Sequence, residues 1–486
     1  MKKNNHKVHF LLNKKHMIHF VGIGGIGMSS IANFLIKKKY KISGSDLNPN
    51  LFTKKLSNMG ALISFKHSYK NVLKANIVVI SSAIPKNNIE IITAIKLNIP
   101  ILKRAQMLSI ISKKKYTIAI TGSHGKTTTT GIIFNIYNEA KLYPNLINGG
   151  IVKDIKSFSK TGKGLYFIVE VDESDGSLVY IQPNVAILTN IEHEHLRNYQ
   201  NNFNNLQQTY IKFLNNTPNN KISIICIDNL GINQIIKKIT SKVITYGFSQ
   251  KSDFRIVNYY QINFKCYFTL VRNKKNILNI TLNLPGKHNA LNATASVITA
   301  LIQKIHPTII LKALKKFKGI EKRFELLGHF NLTLKNNKHS KLMIISDYGH
   351  HPNEILYNIQ TIRNGWKDKK ITMIFQPHKF SRTQDLFKQF ISVLSLVDNL
   401  LMLNVFSAEE CVIPGYNSID LCKKIITVSN LKPTLITNYN NILSILKKKL
   451  FQKNIVLIQG AGNVHDIIYK HFVSKLSPIR QMFNKK

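Results

Sequence analysis

Thr121-Gly122-Ser123-His124-Gly125-Lys126-Thr127-Thr128-Thr129-Thr130 is the stretch of this chain whose residue types say most about chemistry. An apolar run, Tyr116–Ile120, precedes it and a helix is expected from Thr128, so strand, loop and helix stand in the order a phosphate loop requires. Backbone amides and the positive end of a helix suit a polyphosphate. Lys126 can reach the outer phosphates, and Thr127 or Thr128 can ligate Mg²⁺. Ile120 stands where the long form of the motif has its first glycine, which leaves the shorter G-x-x-G-K-T form. A second glycine loop, Gly22-Ile23-Gly24-Gly25-Ile26-Gly27, lies between the apolar run Ile18–Val21 and the apolar-periodic stretch Met28–Ile36. Its spacing permits a diphosphate to approach the backbone, and Asp46 lies roughly twenty residues further on, where a ribose-binding acid belongs. Alone, this loop reads as a NAD site or as a tight structural turn. A dehydrogenase needs only the first loop and a simple ATPase only the second. A chain with both can hold a nucleotide-linked substrate in one domain and ATP in the next.

Further polar clusters follow. Glu170-Val171-Asp172-Glu173-Ser174-Asp175-Gly176-Ser177 places four acids together in a basic chain, which calls for a cation. Mg²⁺, a hard ion that prefers oxygen, fits best. Asn190-Ile191-Glu192-His193-Glu194-His195 follows the next expected strand, so both clusters fall at strand C-terminal ends, where open α/β sheets bind ligands. Solvated acids at a capped helix start are the bland alternative, and zinc on His193 and His195 lacks a supporting thiolate. Downstream stand Pro285-Gly286-Lys287-His288-Asn289 with Asn292, then Lys322-Arg323-Phe324-Glu325. Ser346-Asp347-Tyr348-Gly349-His350-His351-Pro352 and Gln376-Pro377-His378-Lys379-Phe380-Ser381-Arg382-Thr383 come next. Each alone could be surface polarity; their joint occurrence beside strand ends and helix starts is harder to credit to accident.

The elements that must position these residues form three blocks. Strands are expected at Lys41–Ser43 and Ile77–Ile80 in the first, at Tyr166–Val171 and Val185–Thr189 in the second. In the third they are expected near Leu342–Ser346, Ile371–Phe375, Asn399–Leu403 and Ile455–Ile458. Strand–helix alternation predicts parallel α/β sheets. The expected division is a basic, disordered extension over 1–16, a Rossmann-like domain over 17–113, a central P-loop ATPase-type domain over 114–323 and a C-terminal α/β domain over 324–486. With 486 residues, 44% hydrophobic and 19% charged, the chain has an ordinary globular composition. No apolar stretch approaches the roughly 20 residues of a membrane span, and the Phe10-Leu11-Leu12 core is too short for a signal peptide. A cytoplasmic protein that makes no membrane contact is expected. Cys226, Cys266, Cys411 and Cys422 lack C-x-x-C spacing, so neither zinc nor a disulfide framework is indicated. The net charge of +46 is spread along the chain beside abundant Asn and Ile, which favours codon bias over a nucleic-acid-binding face. No specific nucleic acid is expected as a partner.

These motifs resemble the Mur ligase family, in the family's own order and over nearly the whole chain, from about Met17 to Val464. The resemblance rests on V-G-I-G-G-I-G-M, G-S-D, S-S-A-I, G-S-H-G-K-T-T-T-T, D-E-S-D-G-S, P-G-K-H-N, K-R-F-E, D-Y-G-H-H-P and F-Q-P-H-K-F-S-R-T. The G-S-D, H-H-P and P-H-x-x-x-R elements favour the alanine-adding branch. The resemblance implies ATP-dependent, ADP-forming joining of L-alanine to the carboxylate of UDP-N-acetylmuramic acid through an acyl phosphate, in peptidoglycan precursor synthesis. It implies Mg²⁺, and a third domain that closes over ATP and amino acid. It places Gly22, Gly24, Gly25, Gly27, Asp46, Ser81 and Ser82 at the UDP-sugar. Gly122, Ser123, His124, Gly125, Lys126, Thr127, Thr128, Asn289, Asn292, Arg323 and Asp347 would lie at ATP. Thr127, Thr128, Glu170 and His195 would organise the metal. Tyr348, His350, His378, Lys379 and Arg382 would surround the alanine and the reacting carboxylate. Lys126, Glu170, His195, Arg323, His350 and His378 would carry the reaction, with His350 or His378 as the base. Departures from the family pattern are Lys379 for Arg, Gln106 for Glu, Lys66 for Gly and Glu409 for Gly, and they bear more on efficiency than on reaction class. The rivals are a muropeptide-recycling ligase acting on the same sugar, a NAD-dependent oxidoreductase, a basic nucleic-acid binder and an inactive binding protein.

Overall fold

The structure is a computed structural model that describes residues 12–113, 115–174, 176–194, 196–216, 221–333, 339–450 and 453–479. His195, Asp175 and most of the 1–16 extension lie outside the described residues. Three sheets carry the fold, each with helices, as the α/β expectation requires. The first contains β1 (Met17–Val21), β2 (Lys41–Ser45), β3 (Leu62–Ser64), β4 (Ile77–Ile80) and β5 (Ile101–Lys103), in the order β3-β2-β1-β4-β5 and parallel throughout. β1 is central, so its apolar run is buried on both faces. The chain order reverses beside β1, between β2 and β4, and the glycine loop leaves β1 at this point, where doubly wound sheets place their ligands.

The second sheet has ten strands: β6 (Tyr116–Thr121), β7 (Asn145–Val152), β8 (Ser157–Lys160), β9 (Tyr166–Glu170), β10 (Val185–Leu188), β11 (Ile222–Cys226), β12 (Lys242–Gly247), β13 (Phe254–Ile262), β14 (Lys265–Arg272) and β15 (Lys275–Leu282). Their order is β15-β14-β13-β12-β11-β10-β6-β9-β7-β8, with β6 parallel to both β9 and β10. The ends of β6, β9 and β10 therefore lie side by side and bring the phosphate loop, the Glu170 cluster and the Asn190 turn together. The first sheet and all of the second except Gln261–Cys266, at the β13–β14 turn, share one compact unit. Phe34, on the helix Ile26–Lys37, meets Phe167 of β9 edge-on at 5.5 Å, and Asn33 Nδ2 donates to Ser159 Oγ at 2.6 Å. Ile18 and Phe20 fall in the same apolar cluster as Phe167 and Val169.

The second unit holds β16 (Glu325–Thr333), β17 (His339–Asp347), β18 (Lys370–Phe375), β19 (Asn399–Leu403), β20 (Thr434–Ile436), β21 (Lys453–Gln459) and β22 (Ser477–Pro478). Their order is β20-β19-β18-β21-β17-β16-β22, parallel from β20 to β17 and antiparallel beyond. Among the described residues, no helix is long and apolar enough to cross a membrane.

Candidate active site

The phosphate loop leaves β6 at Thr121, and its helix begins at Lys126, two residues before the sequence expectation. Gly125 (φ +83°) is the reason: a left-handed residue ends the loop and frees Lys126 and Thr127 to form the first turn. A Cβ on Gly125 would run into Asn292 Oδ1, and one on Gly122 (φ +129°) would stand 2.8 Å from Asn190 O. The loop is bolted to the turn after β10. Thr189 Oγ1 donates to His124 O (2.6 Å), His124 N to Asn190 Oδ1 (2.8 Å) and Glu192 N to Ser123 Oγ (2.8 Å). The first amides of the helix Lys126–Glu139 point out of its N-terminus, as an anion cradle requires.

Lys126 Nζ donates to Gly122 O (2.5 Å), to Ser123 O (3.0 Å) and to both oxygens of Glu173 (3.0 and 2.9 Å). Burial works against its charge, but Glu173, Asp172 and Glu170 outweigh that and hold the ammonium protonated well above the usual lysine range. Burial and the Asp172 charge work against the Glu173 carboxylate, and the Lys126 ammonium opposes them. Asp172 is also buried, yet Lys126, Arg104 and the hydrogen bonds from Ser174 keep it below the ordinary range. Thr127 Oγ1 donates to Glu170 Oε1 at 3.1 Å, and Glu170 Oε2 accepts from Gly149 N at 2.7 Å. Thr127 and Thr128 are both buried. Hydroxyl and carboxylate oxygens gathered at the loop are the donor set Mg²⁺ prefers, so these residues fit that ion. Asn289 and Asn292 lie on the helix Lys287–Ile302, with Asn292 Nδ2 donating to Asn289 Oδ1 at 3.2 Å. His193 stacks on Phe203 with ring centres 3.9 Å apart.

At the first loop, Gly22 (φ +80°) turns the chain against Ser81, whose Cβ would stand 3.1 Å from a Cβ on the glycine. Ser82 is exposed beside it. Asp46 Oδ2 accepts from Gly24 N at 2.7 Å and Oδ1 from Leu47 N at 2.9 Å, while Asn50 Nδ2 donates to Gly24 O at 3.2 Å. The acid expected at a ribose thus braces the glycine turn it stands beside. Gly25 N bonds Gly22 O, and Gly27 lies under Arg104, whose Cδ would be 3.1 Å from a Cβ there. Arg104, which also acts on Asp172, is a residue the sequence reading missed; its place before Gln106 at a helix start was the available signal.

In the second unit, Arg323, Tyr348, His350, His378 and Arg382 form one run of contacts. The Arg323 guanidinium sits 5.3 Å over the Tyr348 ring and 3.4 Å from Glu354 Oε1. Tyr348 meets His350 edge-on at 5.7 Å, and His350 lies 5.6 Å from His378, which stacks on Phe406. Arg382 Nη1 reaches His378 Nδ1 and O, both at 3.2 Å. Burial, then Arg382 and Lys379, push His378 down to about 4. A guanidinium only donates, so His378 Nδ1 accepts and its proton sits on Nε2. His350 Nδ1 faces Tyr348 O at 3.2 Å, and since a carbonyl only accepts, Nδ1 carries a proton. Asp347 is buried: Oδ2 accepts from Phe324 N (2.7 Å), and Oδ1 from Gly349 N (2.7 Å) and Gln459 Nε2 (3.1 Å). Burial raises its carboxyl, with Arg323 opposing. Lys379 has φ +72°, and its Nζ lies 3.7 Å from Glu410, which also binds Ser381 N and Oγ. Glu354, Phe406, Glu410 and Gln459 were not singled out from sequence. Glu354 had a signal, since it completes a capping box with His351.

Comparison with known proteins gives the chain its family. Family models match as the Mur ligase family catalytic domain over residues 17–116, the Mur ligase middle domain over 120–300 and the Mur ligase glutamate ligase domain over 323–462. The chain is 46% identical to a UDP-N-acetylmuramate–L-alanine ligase of Buchnera aphidicola subsp. Baizongia pistaciae, over 98% of each chain. It is also 46% identical to one of Baumannia cicadellinicola, over 94% of each. The solved UDP-N-acetylmuramate-alanine ligase of Thermotoga maritima superposes with a TM-score of 0.79 at 24% identity, covering 94% of this chain and 99% of that one. A murein peptide ligase of Psychrobacter arcticus gives 0.67 at 20% identity, covering 96% and 100%. At these identities the two structures speak for the fold alone.

Proposed function

This chain belongs to the Mur ligase family, and from that premise we propose that it joins L-alanine to the carboxylate of UDP-N-acetylmuramic acid at the expense of ATP, giving ADP and phosphate, in peptidoglycan precursor synthesis. The observation that carries the reading is Lys126, a charged ammonium held inside a phosphate loop among oxygen ligands, in the same packed unit as a second glycine loop. A carboxylate is anionic and lacks a leaving group. Transfer of the γ-phosphoryl group supplies one, and the amine then attacks the acyl carbon while phosphate departs.

Lys126 and the first-turn amides stabilise the charge that spreads over the transferring phosphoryl group. Thr127, Thr128, Glu170 and His195 would hold Mg²⁺, which when bound neutralises phosphate charge. Asn289, Asn292, Arg323 and Asp347 serve the nucleotide. Arg382 binds the alanine carboxylate through its planar fork. Of the two candidate bases, His350 takes the amine proton, since His378 accepts from Arg382 at Nδ1 and burial with that guanidinium holds it down to about 4. His378 is then the residue that orients Arg382. Asp46 speaks against the NAD reading, since its carboxylate is committed to Gly24 N. A reaction that consumes ATP and a nucleotide sugar belongs in the cytoplasm.

The test is phosphate release from ATP and UDP-N-acetylmuramate with each amino acid in turn. Turnover with L-alanine is expected; turnover with a tripeptide but no single amino acid would favour the recycling ligase, and none with any amine would refute the proposal.

A further inference from the structure

We infer that the Glu173 carboxylate is an internal stand-in for a phosphate, holding Lys126 in the loop and competing with ATP for it, so that Glu173 sets how tightly the loop binds polyphosphate. The inference rests on the reading of Lys126 as the ATP lysine. An ammonium has three protons, and Lys126 directs them to three groups: Gly122 O, Ser123 O and the Glu173 carboxylate. The two carbonyls belong to the loop and stay with it. The carboxylate is the exchangeable partner, and it is the one that carries the charge and paired oxygens of a phosphate.

Its neighbours keep Glu173 in place. The Tyr199 hydroxyl and Gly176 N both donate to Glu173 O, and Asp172 holds Ser174 N at 3.1 Å and Ser174 Oγ at 2.9 Å. Glu170 is engaged elsewhere, with Thr127 Oγ1 and Gly149 N. Glu173 is 1% exposed, so the pair lies out of water, where a charge contact is strong and giving it up is costly. Of the three acids it is the one with both oxygens on Lys126 Nζ, so it is the one an arriving anion must displace.

A purely structural role predicts the opposite sign. If Glu173 only braced the loop, removing its charge would weaken nucleotide binding or leave it unchanged. The experiment is calorimetric titration of the full chain with Mg·ATP, and separately with inorganic tripolyphosphate, in Glu173→Gln, Glu173→Asp and Asp172→Asn. Glu173→Gln is expected to tighten both ligands about tenfold, within the coupling typical of charged groups in direct contact. Glu173→Asp, whose shorter arm draws the carboxylate back from Nζ, should tighten them severalfold and decides the matter if the amide variant does not fold. Asp172→Asn removes a nearby charge without releasing the lysine and should change affinity about twofold at most. In turnover, Glu173→Gln should lower the KM for ATP more than it alters kcat. Unchanged or weaker binding in both Glu173 variants would overturn the inference, as would an Asp172→Asn effect equal to that of Glu173→Gln. A parent chain that bound neither probe would overturn the ATP reading itself.

Discussion

The two glycine loops are built alike and equipped differently. Each leaves a buried parallel strand and enters a helix, and each uses a glycine at positive φ to turn, Gly22 at +80° and Gly122 at +129°. At the first loop the polar side chains face inward onto the turn itself: Asp46 on Gly24 N, Asn50 on Gly24 O. At the second, Lys126 is brought into the loop, and three acids act on it. Glycine spacing therefore specifies how close a phosphate can come, and the side chains around it specify whether anything happens to that phosphate. The same contrast holds for buried acids. Glu90, near the first loop, accepts from Ser45 Oγ (2.5 Å) and Asn71 Nδ2 (2.5 Å) and faces His19 and His67. Burial would raise its carboxyl, but His19, Ser45 and Asn71 outweigh it and hold it at about 2. Glu173, near the second, is held by the Lys126 ammonium at 3.0 and 2.9 Å, with burial and Asp172 working against its charge. One acid is spent on stability; the other stands ready to change partners.

The comparison can be broken most decisively at Lys126. Lys126→Ala should lower kcat by roughly 10²–10³, the scale for losing one preorganised charge-stabilising donor, with UDP-sugar binding unchanged. Steady-state kinetics with a UDP-sugar titration checks both; near-normal kcat would erase the difference between the loops. The next effect is on stability. Glu90 has a folded-state pKa below its unfolded value, so its contribution is complete above about pH 4.5 and is lost as pH falls toward about 2. That contribution is about 3 kcal/mol from the size of the shift. Urea unfolding from pH 7 to pH 3 should therefore show a smaller acid loss in Glu90→Gln than in the parent, which starts more stable. A parallel loss in both chains would contradict the assignment. At the first loop, Asp46→Ala should raise the KM for UDP-N-acetylmuramate about tenfold, as expected for one charge-assisted bond to a backbone amide, and leave kcat nearly intact. A collapse of kcat would place Asp46 in the chemistry.

The smallest effect tests glycine where it is missing. Ala408 and Glu409 have φ of +48° and +69°, in the stretch where the resemblance expects a glycine at 409. Glu409→Gly should stabilise the chain by about 1 kcal/mol, read as a higher urea midpoint at constant m-value, because glycine adopts this region without a Cβ penalty. No gain would mean that the Glu409 side chain makes up for its backbone.

Much of this was legible in the sequence where the signal is local. The strands Ile77–Ile80 and Asn399–Leu403 were placed to the residue, since they are short apolar runs that parallel sheets bury on both faces. The phosphate loop was legible because glycine, lysine and threonine each do one thing there. Strands β13 to β15 were not read, although their half-buried alternation, as in Phe254 and Ile256 or Phe268 and Leu270, was present. Lysine and asparagine at the exposed positions blur that contrast. The reach of Asp46 and the clamp of Glu173 on Lys126 could not be read at all: they depend on which strand ends the sheet order sets side by side. Nor could the contrast between His350, whose Nδ1 faces a carbonyl, and His378, whose Nδ1 faces a guanidinium.

The central claim is that ATP activates the sugar's carboxylate. UDP-N-acetylmuramate labelled with ¹⁸O in that carboxylate, turned over with ATP and L-alanine, tests it directly by mass spectrometry of the released phosphate. One labelled oxygen per phosphate is predicted, because the bridging oxygen of the acyl phosphate leaves with phosphorus when the amine attacks. Phosphate that carries no label would contradict the account.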